Sequence, residues 1–427
     1  MNNTTEAVFH LLRSALFRGE LPQFSSDMDW SAIYDECCMH AIDTLFSGVL
    51  KDLPVSKALE RTWQIGIIKN ILMCESDLQV LDRLHHLFEA NEISYAVLKG
   101  MAAAKYYPQA YIRTCGDIDI LVRRSQFERA VELLASSGFT QQKADESDTR
   151  HVSFKASDTL IELHQYFDMT DSGNKEDAAL NRLLSAELGN TVVNYYHPDG
   201  RISETEGTGL AFRSFRDAVN GLVILYHLCS HLALGIGYRQ IVDFLMFSLH
   251  YLTDEAWVGD ETHPSFREMA KSLDLDVLAK TVVRAGQLYL GFPASVTWCK
   301  EADDGLSCEL MEYVACKGNF GCKYDSEKNN RTIEILNTSR GSLRTRLDYE
   351  TKIGLDHWPA ARKNSFLRRF AWICGGCHHV KMLFKLHLVR SFVKDFLTSR
   401  KQTEMLNRLH VMRFQQTNRA DIGVEEL

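Results

Sequence analysis

The apolar positions of this chain change their period as it runs. Through residues 1–88 they recur at three- and four-residue intervals: Ala7, Leu11, Leu12, Ala15 and Leu16, then Ile68, Ile71 and Leu72, then Leu78, Leu81, Leu84 and Phe88. That spacing keeps them on one side of a 3.6-residue helix. Asn91-Glu92 breaks the pattern. Residues 93–98 form a short apolar run that reads as a buried strand, 102–107 a helical turn or two stopped before Pro108, and 118–122 a second strand. Residues 125–137 predict an amphipathic helix, with Ser125 as its cap, Glu128 completing a capping box and Gly138 ending it. Residues 151–155 and 159–164 read as a hairpin turning at Ser157-Asp158.

Residues 91–166 therefore read β-α-β-α-β-β, a compact mixed unit. A polar stretch follows at 168–177, and a further strand pair is expected within 191–212. Helical spacing returns over 217–290, a loop over 317–330, and a long basic helical pattern over 364–412. The expected fold class is α+β: a small mixed sheet with helical regions before and after it. The boundaries this suggests are 1–88 helical, 89–215 the sheet-containing core, 216–325 helical, and 326–427 a basic helical region.

Composition changes this picture little, but charge does. The 427 residues are 45% hydrophobic and 24% charged, ordinary for a globular protein. The net charge of −8 conceals a strongly basic segment, residues 361–420, with 13 Lys/Arg against 2 Asp/Glu. That segment either contacts a polyanion or covers the acidic remainder of the chain. The first residues show no basic-then-apolar leader, so a cytoplasmic location with reduced thiols is expected for the 11 cysteines. The longest uncharged apolar stretch, 218–238, contains Asn220, His227, Ser230 and His231 and reads as a buried helix, not a membrane span.

The candidate chemistry lies in the mixed unit. Its first strand ends in Leu98-Lys99-Gly100, where a glycine lets a phosphate approach the backbone and a following helix offers free N–H groups. Further on, Asp117 and Asp119 flank Ile118. Side chains at i and i+2 of a strand share a face. Two carboxylates held together repel each other, so stability alone disfavours the pair, whereas a divalent cation favours it. Glu162 and His164 repeat the i, i+2 spacing, with Ile161 and Leu163 on the other face. If their strand lies beside that of the aspartates, Glu162 becomes a third carboxylate, as a metal ligand or as the base that deprotonates an attacking hydroxyl. Arg113 either neutralises phosphate charge or lies at the surface. His227 and His231 share a helix face, as a polar wall or, with Asp243, a metal site. Arg239 either pairs with Asp243 at i+4 or reaches a triphosphate. Cys374 and Cys377 have the spacing of a haem-attachment motif but read as two helix-packed thiols.

Together, Gly100, Asp117/Asp119 and Glu162 resemble the DNA polymerase β-like nucleotidyltransferase superfamily. More closely, the chain resembles the bacterial uncharacterised nucleotidyltransferase family. The likeness is carried by Leu98-Lys99-Gly100, Tyr107-Pro108 with Arg113, Asp117-Ile118-Asp119 and the apolar run after it, and Glu162-Leu163-His164. It continues through His227, His231, Arg239 and Asp243 to Gly318-Asn319-Phe320-Gly321, so it covers roughly residues 90–325. It implies Mg²⁺ (or Mn²⁺) on Asp117, Asp119 and Glu162, and a nucleoside triphosphate met by Lys99, Gly100, Arg113, His164 and Arg239. It also implies transfer of a nucleoside monophosphate to a hydroxyl on a sugar phosphate, small molecule, RNA or protein, with release of pyrophosphate. The chain departs from the superfamily at Met101, where serine or glycine is usual, so backbone N–H groups or Lys99 must serve the phosphate. That departure supports an alternative, a non-catalytic nucleotide-binding or regulatory protein on the same fold. A glycosyltransferase using Asp-x-Asp would instead need a larger parallel sheet ahead of the motif.

Overall fold

The computed structural model describes residues 2–17, 19–142, 151–167, 175–207, 209–259 and 265–323, with shorter segments between 351 and 411. The chain divides into two compact units, residues 1–323 with 409–427, and residues 324–408. In the smaller unit the described helices are Ser365–Arg368 and Phe392–Arg408. Much of the basic segment and part of the 317–330 loop lie outside the described residues. Cys374 is partly buried and Cys377 exposed, both as free thiols.

The larger unit opens with helices α1 (Asn3–Leu16), α2 (Trp30–Met39) and α3 (Lys57–Ala90). α3 is 34 residues long, and its start is fixed by Ser56, whose hydroxyl accepts from the Leu59 N–H. Its buried positions, among them Cys74, Leu78, Leu81, Leu84 and Phe88, step by three and four, as one helix face must. That face covers a sheet.

The sheet begins with β1 (Tyr95–Leu98), followed by the short helix α4 (Gly100–Ala104) and β2 (Ile118–Val122). Next come helix α5 (Phe127–Ser136), β3 (Thr140–Gln141), and the hairpin of β4 (His151–Ala156) and β5 (Thr159–His164), turning through Ser157 at φ 55°. After helix α6 (Lys175–Glu187) come β6 (Val192–Tyr196), β7 (Ile202–Ser203) and β8 (Ala211–Ser214). The spatial order is β3-β4-β5-β2-β1-β8-β6-β7. β2 runs antiparallel to β1 and parallel to β5, and β8 runs parallel to β1.

Two expectations about these elements are corrected. Residues 191–212 were expected to hold a strand pair. Three strands form instead, because β6 and β7 make a local hairpin and the chain then returns as β8, between β6 and β1. Ser125 does not cap α5. It lies in a tight turn, Arg124–Gln126, and the helix starts at Phe127 without a side-chain cap. Gln126 fixes this corner instead: its Oε1 accepts from Ser94 N at 3.0 Å and its Nε2 donates to Glu92 O at 2.8 Å, pinning the helix start to the approach of β1.

Alternation along the central strands sets the layers. Val97, Ile118, Ile120, Val122, Ile161 and Leu163 are buried in one core with the α3 face and with Phe127, Ala130 and Leu134 of α5. Each such side chain contributes about 1.5–3 kcal/mol on burial. Asp119, Glu162 and His164 occupy the intervening positions and therefore point to the opposite face. Beyond the sheet lie α7 (Asp217–Leu232), α8 (Tyr238–His250), α9 (Asp254–Val258), α10 (Phe266–Ser272), α11 (Asp276–Ala285) and α12 (Asp304–Lys317). A Cβ on Gly221 would fall 2.0 Å from the Phe247 ring, so glycine is required where α7 meets α8. Among the described residues no helix is long and apolar enough to cross a membrane.

Asp77 is the anomaly in the α3 face. It is 2% exposed, accepts from Thr159 Oγ1 at 2.8 Å, and its other oxygen has no partner among the described residues. Burial pushes its carboxyl up to about 6. Between about pH 4 and pH 6 the folded chain therefore binds more protons than the unfolded chain, and stability falls as pH rises through that window. Asp77→Asn removes this dependence. It is expected to be more stable than wild type by on the order of 1–2 kcal/mol at pH 8 and no more stable at pH 4, measured by urea denaturation with chelator present. Equal stability of the two proteins at pH 8 would contradict the burial-driven shift.

Candidate active site

β2 and β5 run parallel in a register that sets Asp119 beside Glu162 and Leu121 beside His164. β4 then sets His151 directly opposite His164. The three sequence candidates Asp119, Glu162 and His164 thus come together, with one ligand atom from each lying within 4.8 Å of the others. His164 Nε2 is 3.0 Å from Asp119 Oδ1 and 3.5 Å from Glu162 Oε2. His151, which sequence reasoning missed, has Nε2 3.6 Å from Glu162 Oε1. The available signal was hairpin register, since residues facing each other about the Ser157-Asp158 turn can be counted out from it.

Lys99 approaches the same carboxylate from the end of β1. Its Nζ is 2.9 Å from Asp119 Oδ2. The antiparallel pairing of Leu98 with Asp119 makes this reach possible. Lys99 holds φ 50°, ψ −137°, and Gly100 follows at φ 33°. A non-glycine residue with such a backbone is uncommon and persists where its surroundings impose it. Next to Gly100 a Cβ would find its nearest neighbour, Asp117 O, at 3.8 Å, so space is not the constraint there and backbone conformation is. Met101, 2% exposed, belongs to the core beneath the sheet. A serine side chain at that position would start in the core, so the residue type there says little about the phosphate side.

The electrostatics separate the two aspartates. Burial would raise the Asp119 carboxyl, but Lys99 and His164 outweigh it and hold it below the ordinary value. Asp117, just ahead of β2, is pushed up by burial and by the charge of Asp119. The bond from His164 lowers Glu162 despite burial. His164 itself is raised, because Asp119 and Glu162 outweigh the cost of burying its charge. The chain thus places cationic groups against Asp119, as a dense carboxylate cluster requires. The His164 imidazole is a donor for softer ions and serves here as a hydrogen-bond partner of both acids, whereas the carboxylate oxygens of Asp119 and Glu162 are donors suited to Mg²⁺ or Mn²⁺. These residues fit such an ion, with Lys99 occupying one carboxylate oxygen as a competing cation.

This cluster forms one wall of a cleft of about 740 Å³. Asp117, Lys99 and Gly100 line it, and His227, His231 and Arg239 line it from the helices. Burial holds the His227 imidazole well below its ordinary range, with the charge of Lys99 adding to the effect. The His227 and His231 rings are 4.6 Å apart, edge to face.

The two arginines behave differently from each other. Arg113 makes a bidentate pair with Asp243, through Nε at 2.7 Å and Nη2 at 2.8 Å, and Tyr107 donates to the same carboxylate at 2.7 Å. Its remaining Nη1 faces Thr114 O and Cys115 Sγ. Asp243 was expected to pair with Arg239, one turn away on its own helix; the pairing it makes is with Arg113, whose planar fork matches both oxygens. Arg239 Nη1 donates to Thr114 O at 3.0 Å, and its buried Nε has no partner among the described residues. Burial, with Arg113 nearby, lowers its pKa. The loop that carries Arg113 into β2 is held by the N-terminal helical region: Thr44 donates to Ile112 O, Asn70 to Tyr111 O, and Thr114 to Ala41 O.

A family model described as "Uncharacterised nucleotidyltransferase" matches residues 26–263, more than half of the chain. The match starts earlier than the expected 90, taking in α2 and α3, and ends before the 318–321 loop. No curated protein matches the chain.

Removing one partner of a buried ion pair leaves the other charge uncompensated. Asp243→Ala is therefore expected to cost about 3–5 kcal/mol of stability, and Arg113→Met/Asp243→Leu much less than the sum of its single changes. Additive losses in urea denaturation would show that the pair is not coupled.

Proposed function

The chain belongs to the uncharacterised nucleotidyltransferase family and is a nucleotidyltransferase, and from that premise we propose that it moves a nucleoside monophosphate from a triphosphate to an acceptor hydroxyl, with metal dependence and release of pyrophosphate. The observation that carries this reading is the group formed by Asp119, Glu162 and His164 beside Lys99, in the wall of a cleft that Asp117 and Arg239 also line.

In this reading Asp117, Asp119 and Glu162 hold Mg²⁺ or Mn²⁺. When bound, the ion neutralises charge on the triphosphate and polarises the reacting phosphate. The residues of the chain do the rest. Lys99 and the Gly100 backbone line the phosphate pocket, and Arg239, which lines the same cleft, brings its guanidinium charge to the phosphates. Arg113, expected at the phosphates, keeps its pair with Asp243 and steadies the loop ahead of β2. His164 orients Asp119 and Glu162 and stands among the side chains that meet the nucleotide. Glu162 accepts the proton of the acceptor hydroxyl as the new O–P bond forms and the bond to the pyrophosphate leaving group breaks. The acceptor classes to be assayed are sugar phosphate, small molecule, RNA and protein. A glycosyltransferase reading is disfavoured by the helices α1 to α3, which stand where a parallel sheet would precede the motif.

Titration calorimetry with Mg²⁺ or Mn²⁺ and each nucleoside triphosphate tests the proposal. Wild type is expected to bind, and Asp117→Asn and Asp119→Asn each to weaken binding by more than about tenfold. Indistinguishable binding by all three proteins would overturn it.

A further inference from the structure

Apolar and aromatic residues that the phosphate chemistry does not use also line the cleft. Phe320 lines it, lies outside the matched residues 26–263, and is 50% exposed. Among the described residues of the larger unit it is the one phenylalanine or tryptophan with an exposed ring. Leaving that ring in water forgoes its burial energy, so something else must account for its position.

The backbone holds the ring there. Phe320 adopts the left-handed conformation, φ 52° and ψ 31°, between Gly318 at φ 68° and Gly321 at φ 70°. For a bulky side chain this is costly. The turn is fixed from α8, where Gln240 Nε2 donates to Asn319 Oδ1 at 2.9 Å. It is also fixed by the close passage of Gly235, whose Cβ would fall 2.9 Å from the Gly321 backbone. The ring meets His231 edge to face at 5.4 Å, His231 meets His227 at 4.6 Å, and all three line the cleft that Lys99 lines. His227, His231 and Phe320 thus form a row of rings in the cleft that Lys99 and Arg239 also line.

We propose that Phe320, backed by His231, is the platform on which the base of the incoming nucleotide stacks. The proposal rests on the nucleotidyl-transfer reading and deepens it by assigning the base subsite. A triphosphate at Lys99 and Arg239 leaves its nucleoside to run along the ring line, and every base offers a π face to an aromatic ring whatever its hydrogen-bonding edge. The platform therefore gives affinity with little discrimination among bases.

The experiment compares nucleoside triphosphates with inorganic tripolyphosphate, each with Mn²⁺, by titration calorimetry. Phe320→Asn removes the ring and keeps a residue that tolerates the left-handed turn; Phe320→Tyr restores the ring. Phe320→Asn is expected to weaken all four nucleoside triphosphates by about 5- to 150-fold and to leave tripolyphosphate unchanged, with Phe320→Tyr near wild type. Equal effects on nucleotide and tripolyphosphate, or none on either, would overturn the platform while leaving the transfer reading intact. Failure of wild type to bind either ligand would overturn both.

Discussion

The parallel pairing of β2 with β5 is the constraint on which the site depends. Strand side chains alternate, so a register that buries Ile118, Ile120, Ile161 and Leu163 against α3 must also send Asp119, Glu162 and His164 to the other face. A slip by one residue would expose the apolar set and bury the charged one. The packing energy of the core thus enforces the proximity of carboxylates that repel one another. Lys99 and His164 offset part of that repulsion, which lets the cluster persist in a folded chain.

A second constraint fixes where the cluster points. The loop before β2 carries no regular structure beyond a single turn, yet it must deliver Asp117 and Asp119 accurately. It is tied on one side to Ala41, Thr44 and Asn70 of the N-terminal helical region, and on the other to Asp243 of α8 through Arg113. The helices around the sheet therefore act as a frame for one loop, and the family match includes residues from both supports.

Much of this was legible in the sequence, for physical reasons. β2 is a continuous apolar run interrupted by Asp119, and the β4–β5 hairpin alternates cleanly about a turn, so both strands could be located and their faces assigned. The cap of α5 and the strands near residue 200 were less legible, because they depend on tertiary bonds: Gln126 reaches back to Ser94, and β8 inserts beside β1. The partner of Asp243 was hidden for the same reason. A neighbour one turn away is visible in sequence, whereas Arg113 is 130 residues away in the chain. Met101 shows the reverse case: in sequence it reads as a departure beside the phosphate-approach glycine, yet its side chain lies in the core.

The contact between Lys99 and Asp119 has a thermodynamic consequence. One oxygen of the Asp119 carboxylate serves an ammonium in this structure, and Asp119 belongs to the group that could hold a metal ion. Under the proposed function a divalent ion at Asp119 would compete with Lys99 for that carboxylate, and the released ammonium would be available to a polyphosphate. Ion and nucleotide binding are then linked, and linkage is reciprocal: whatever factor the ion adds to nucleotide affinity, the nucleotide adds to ion affinity. Under that reading the site would respond more strongly to ion and nucleotide together than to either alone.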